Sequence, residues 1–166
     1  MNATTIDYTA LAALLDYERW SKPVDLDDGY SVRVKLEPDT DSQLEDSDCF
    51  GTIHWPERNS RARPSVCNGA ARKIDTRQGP VWWQPPTDVV SDPEVFKSVE
   101  MRVRGYFLEH WSYVGVVVEV TGPACAACGE RKSEEASLWS IESDAGDYFA
   151  EVLADLVADA KSQVDE

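Results

Sequence analysis

Apolar residues recur every three or four positions at Phe149, Val152, Leu153, Leu156, Val157 and Ala160. That period predicts an amphipathic helix over Gly146 to Gln163, with the stripe turned to the core. Ser91-Asp92-Pro93-Glu94 has the form of a helix start, a capping-box pair with proline in the first turn. Phe96, Val99, Val103, Tyr106 and Phe107 follow at helical spacing, so a helix is expected to about Trp111. Val99, Met101 and Val103 also alternate, but the start signal selects helix. A third stripe, Leu11, Leu14 and Leu15, follows Thr4 and Asp7 at capping spacing and predicts a helix over 5–20, ended by Ser21-Lys22-Pro23.

Elsewhere the period is two. From Tyr30 to Glu37, Val32, Val34 and Leu36 face one way and Ser31, Arg33 and Lys35 the other, a half-buried strand. Tyr113 to Thr121 is valine-rich and predicts a central strand, with Ala136 to Ser143 as its hairpin partner. Gly51 to Trp55 and Val81 to Gln84 are shorter strands, the second stopped by Pro85-Pro86. Residues 38–48 form an acidic loop. Residues 56–80 show no period and carry Pro64 and Asn68-Gly69, predicting a long basic loop. The order α-β-β-β-α-β-β-α predicts one α+β domain over 1–166, a mainly antiparallel sheet of about five strands with three helices packed on it.

Composition adds the compartment. No apolar run reaches the ~18–20 residues of a membrane span. The start, Met-Asn-Ala-Thr-Thr-Ile-Asp, lacks the basic and apolar segments of a secretion signal. Four cysteines at irregular spacing suit a reducing cytosol better than a disulfide framework.

Charge changes the picture most. Thirty-one acids against 16 bases give a formal −15 on 166 residues. Groove or backbone binding of nucleic acid needs a basic face that releases counterions, so tight binding to free duplex DNA is not expected. A protein partner with a basic surface is. The acids concentrate toward the ends of the chain, and residues 57–77 are basic.

Four features carry candidate chemistry. Asp147, Glu151, Asp155 and Asp159 stand at strict i, i+4 spacing, where each like-charged pair costs about 0.2–0.5 kcal/mol. The helix has one base, Lys161, and no acid lies four residues before it. The row is either a solvated face or a partner-binding one. Successive acids rise about 6 Å along the axis, whereas a DNA strand places a charge every ~3.4 Å. One row is therefore too sparse to copy a duplex, and a DNA mimic would need the acids of Asp25–Asp48 or a second subunit beside it. Trp82 and Trp83 are adjacent in a strand and must point to opposite faces, one into the core and the other covered or offered as a binding anchor. Arg61, Arg63, Arg72 and Lys73 in the basic loop could grip phosphate, but they lack interleaved aromatics and sit on a strongly acidic chain. Docking on the protein's own groups is the competing reading.

Cys125-Ala126-Ala127-Cys128-Gly129 has the form of a zinc knuckle between two strands. A closed site needs two further ligands, and no second CxxC exists, so no resident metal or other cofactor is expected. A metal-stabilised module is the alternative. No nucleophile elbow, P-loop, dinucleotide fingerprint or HExxH is present, and catalytic residues are not assigned. A calcium loop beginning at Asp39 fails because Leu44 stands where glycine is needed.

Asp48-Cys49-Phe50-Gly51, Asn68-Gly69-Ala70-Ala71-Arg72-Lys73-Ile74, Val81-Trp82-Trp83-Gln84-Pro85-Pro86 and Ser137-Leu138-Trp139-Ser140-Ile141-Glu142 resemble segments of small accessory proteins of actinobacterial phages. The resemblance spans most of the chain and implies expression in an infected bacterial cytosol. It brings no activity with it. The expectation is a non-enzymatic, acidic phage accessory protein that binds a host or phage protein and competes for a basic nucleic-acid-binding surface. A metal-stabilised binding module and an enzyme without a known signature are the alternatives.

Overall fold

The computed structural model describes residues 6–26, 29–44, 48–56 and 62–166. The class is α+β, and every pairing between strands among the described residues is antiparallel. The chain, read as one domain from its length, divides into two compact units. One is built from its two ends, up to Thr40 and from Tyr113 on; the other is Asp41–Ser112.

In the first unit the strands β1 (Val24–Asp25), β2 (Ser31–Pro38), β6 (Tyr113–Thr121) and β7 (Ser133–Glu142) pair in the order β1-β2-β6-β7. The predicted β2 alternation puts Val32, Val34 and Leu36 in the core, opposite Val120, Val118 and Val116 of β6. Helix α4 (Tyr148–Asp165) covers that face with Phe149, Val152, Leu153, Leu156, Val157 and Ala160, the six residues its period selected. Each of these side chains larger than alanine contributes roughly 1.5–3 kcal/mol by leaving water.

The first helix is much shorter than expected. The described part, α1, is Tyr8–Ala12, with Asp7 accepting from the Ala10 amide; Thr4 lies outside the described residues. The cause is the open edge of β2 beyond the two-residue β1. Leu36 N–H donates to Asp16 O, and Glu18 and Ser21 amides donate to Leu36 O and Val34 O. Unpaired strand groups are costly to leave, and residues 16–21 satisfy them by abandoning the helix.

Strand β7 starts three residues before its prediction, at Ser133, because pairing with Thr121 carries Glu134 and Glu135 into the ladder. Further along, Val114 faces Ile141 while Val116 faces Leu138, so β7 carries one extra residue there. Ser140 takes φ +64 in this bulge, and its amide is held by Asp39. The bulge lays the Trp139 indole on Gly115: a Cβ at Gly115 would fall 2.4 Å from Trp139 Cε3.

In the second unit β3 (Thr52–His54), β4 (Arg72–Thr76) and β5 (Gly79–Gln84) form a sheet in the order β3-β5-β4, beside α2 (Thr87–Val90) and α3 (Pro93–Phe107). Residues 99–103 lie inside α3. Asp92 is its cap rather than Ser91, accepting from Glu94 and Val95 amides, with Pro93 as the first helical residue. The expected 56–80 loop is thus interrupted by β4 and by the start of β5, joined through the tight turn at Arg77-Gln78. Residues 57–61 lie outside the described residues. The strands divide into two sheets rather than one because, among the described residues, β5 pairs with β3 and β4 and with no strand of the first unit. Leu44, Trp83, Val81 and Val103 are fully buried in this unit. Among the described residues no helix is long and apolar enough to cross a membrane.

Candidate protein-binding groove

Helix α4 begins without a side-chain cap. Asp147 has helical φ and ψ, and Tyr148, Phe149 and Ala150 amides bond three residues back to Ala145, Gly146 and Asp147. From this start one stripe turns inward while Glu151, Asp155 and Asp159 stay exposed. Between the stripe and β7 lies a hollow of about 350 Å³. Its floor is Leu138, Tyr148, Val152 and Leu156, and its rim is Glu151, Asp155 and Asp159. Asp147, the fourth acid of the row, does not line it. Leu138 reaches the hollow because its partner Val116 points to the α4 face, and it stays 42% exposed.

The three rim carboxylates have no salt-bridge partner among the described residues. The one base of the helix is occupied elsewhere: Lys161 Nζ stands 4.2 Å from the centre of the Tyr30 ring. Like charges one turn apart, unrelieved by a cation and next to apolar surface, favour an incoming positive group. The acids were legible from spacing. The apolar floor was not: Leu138 and Tyr148 come together only once β7 and α4 are docked. Tyr148 does stand three residues before Glu151 and seven before Asp155, on the same helix face.

The other candidates fare differently. Trp83 is 0% exposed and belongs to the core of its unit, its ring tilted against Phe96 with centres 5.5 Å apart, so it is no surface anchor. Trp82 is half-buried, and its indole N–H is buried without an acceptor among the described residues. Arg61 lies outside the described residues. Arg63 donates to Cys67 O at 2.7 Å, Arg72 to Ala70 O at 2.9 Å while lying over the Phe96 ring, and Lys73 pairs with Asp75 at 2.6 Å. The described bases therefore dock on their own unit. A second hollow of about 290 Å³ lies there, lined by Trp55, Tyr106 and Phe107 among others. Its charges are matched, with Arg77 and Glu109 paired at 2.7 Å.

Cys125 and Cys128 are exposed in the turn joining β6 to β7. Cys125 N–H donates to Glu130 O at 2.7 Å, and Gly129 N–H to Cys125 O at 2.8 Å, with Gly129 at φ +78. The backbone N–H of Cys128, then that of Ala127 and the Cys128 side chain, favour the Cys125 thiolate and hold its thiol below the ordinary cysteine value. Among the described residues no three His, Cys, Asp or Glu side chains converge on a metal position. Comparison of the chain with protein-family models, with characterised proteins and with solved structures finds no match.

Proposed function

We propose that this protein is a non-enzymatic binding protein whose α4–β7 groove takes a basic, partly apolar segment of a protein partner. The observation that carries the reading is the groove itself: an apolar floor with three carboxylates along one rim and no cation of their own. From Glu151 to Asp159 the rim runs about 12 Å, the reach of two to three lysines or arginines at i, i+4 on a partner helix. Leu138 and Tyr148 would receive an apolar residue between them. Basic surfaces of this kind also bind nucleic acid, so occupancy of the groove would compete with it. The resemblance to phage accessory proteins suits such a role in an infected bacterium.

The test is recovery of a partner from actinobacterial host extract by the tagged chain, run beside Glu151→Lys with Asp155→Lys. The parent is expected to recover a basic protein at low salt and the double variant to lose it while keeping its fold. Equal recovery by both would leave the row a solvated face and end the proposal.

A further inference from the structure

The groove leaves the β6–β7 turn unused. We infer that the Cys125–Cys128 turn is a two-thiolate half-site for a soft divalent cation of the zinc type, closed to four sulfurs by the same turn of a second copy of this chain.

The turn is built for ligation on one side only. Gly122 N–H donates to Lys132 O, and Cys125 N–H to Glu130 O, so the ladder runs on past Thr121–Ser133 and narrows to the knuckle. Gly129 N–H closes the turn on Cys125 O at 2.8 Å with Gly129 at φ +78, which sets Cys125 and Cys128 on one tight exposed loop. In a tetrahedral thiolate site with bonds of about 2.3 Å, two sulfurs stand about 3.8 Å apart, a span that two cysteines three residues apart in one turn can supply. The base of the turn is braced, with Arg131 donating to Gly29 O at 2.9 Å and Lys132 to Gln163 O at 2.6 Å.

Closure has to come from outside this unit. Residues 1–40 and 113–166 contain no other cysteine and no histidine, and no carboxylate completes a group of three among the described residues. Residues 123–133 are exposed throughout, so nothing in the unit blocks approach to the thiols. A second identical turn related by a two-fold axis supplies two sulfurs and completes the four-ligand shell that a structural zinc site requires. The balance is one Zn²⁺ and four thiols giving one tetrathiolate centre of charge −2 and four protons, less any already lost. The inference departs from the sequence expectation of no resident metal, which counted two thiolates in an open site.

The experiment uses the full chain, freed of metal, kept reduced with a phosphine and titrated with Zn²⁺ or Co²⁺ alone. Expected are one cation per two chains, a monomer-to-dimer shift in sedimentation at the same equivalence point, and the absorption of tetrahedral cobalt thiolate. A chelator should restore the monomer. Cys125→Ser and Cys128→Ser should each abolish cation uptake and dimer together, while Cys49→Ser with Cys67→Ser should keep both. Because two chains of −15 repel, the metal-linked dimer should strengthen as non-coordinating salt rises. One cation per chain, no uptake, loss on replacing Cys49 and Cys67, or a dimer that survives chelation would each overturn the inference. The stoichiometry of the parent decides it even where a variant fails to fold. A failed groove leaves this result untouched.

Discussion

At the scale of single residues, Arg33 shows how one side chain organises several. It donates to both oxygens of Glu119 at 2.6–2.8 Å and lies over the Trp20 ring. Glu119 also faces Glu135 across the β6–β7 ladder, a like-charged pair that Arg33 relieves. Arg33→Ala is expected to cost about 1–2 kcal/mol, because the mostly buried Glu119 then keeps its repulsion and loses its partner. A lower urea midpoint at unchanged slope would show it. Cys125 gives a pH-dependent readout. Folding lowers its pKa, so its small contribution to stability is present above the pKa of the unfolded thiol and is lost as pH falls through the folded value. Since the thiolate is the nucleophile, alkylation mapped by mass spectrometry should persist at Cys125 to lower pH in the folded chain than in urea.

Elements behave according to how their period is used. In α4 the inward stripe and the outward acids belong to one helix but carry different consequences. Leu153 is fully buried, and Leu153→Ala should cost about 2–5 kcal/mol as transfer energy is lost and a cavity opens. Replacing Glu151 and Asp155 by lysine touches no core contact. It turns three repulsive i, i+4 pairs into two attractive ones and one repulsive, at about 0.2–0.5 kcal/mol each, so thermal unfolding should move upward or stay put. The β7 bulge offers a check of another kind. Gly115→Ala would drive Trp139 off the sheet, since the indole occupies the space of the new methyl. A red shift in tryptophan emission is expected, and it should be absent when Trp139 is already phenylalanine or alanine. No shift in the Trp139-containing variant would show that the indole does not rest on Gly115.

For the molecule as a whole, the −15 charge sets the sign of every long-range effect. Binding of a basic partner in the groove should weaken steadily as salt rises, because exposed charges are screened beyond about 8–10 Å. A gel shift with free duplex DNA should show no tight complex at any salt, for want of a basic face. The metal-linked pair responds to salt in the opposite sense. That contrast separates the two surfaces in a single salt series on the parent protein.

The elements read most accurately from sequence were those whose signals are local. β6 is Tyr113–Thr121 as predicted, β2 is displaced by one residue, and α3 and α4 lie within two residues of their expected bounds at most ends. Caps, proline and an unbroken period act within a few residues and are complete in the chain itself. The i, i+4 acids and the exposed knuckle were visible for the same reason. What needed the tertiary structure was decided between distant segments. α1 ends early because the β2 edge claims the chain after it. β4 forms from Arg72–Thr76, which buries little beyond Ile74, because β5 supplies its ladder. The strands divide into two sheets because of which partner each one finds, and pairing leaves little trace in local composition. The groove floor belongs to this second class: Leu138 and Tyr148 are ordinary positions in a strand and a helix, and they become a surface only where β7 and α4 meet.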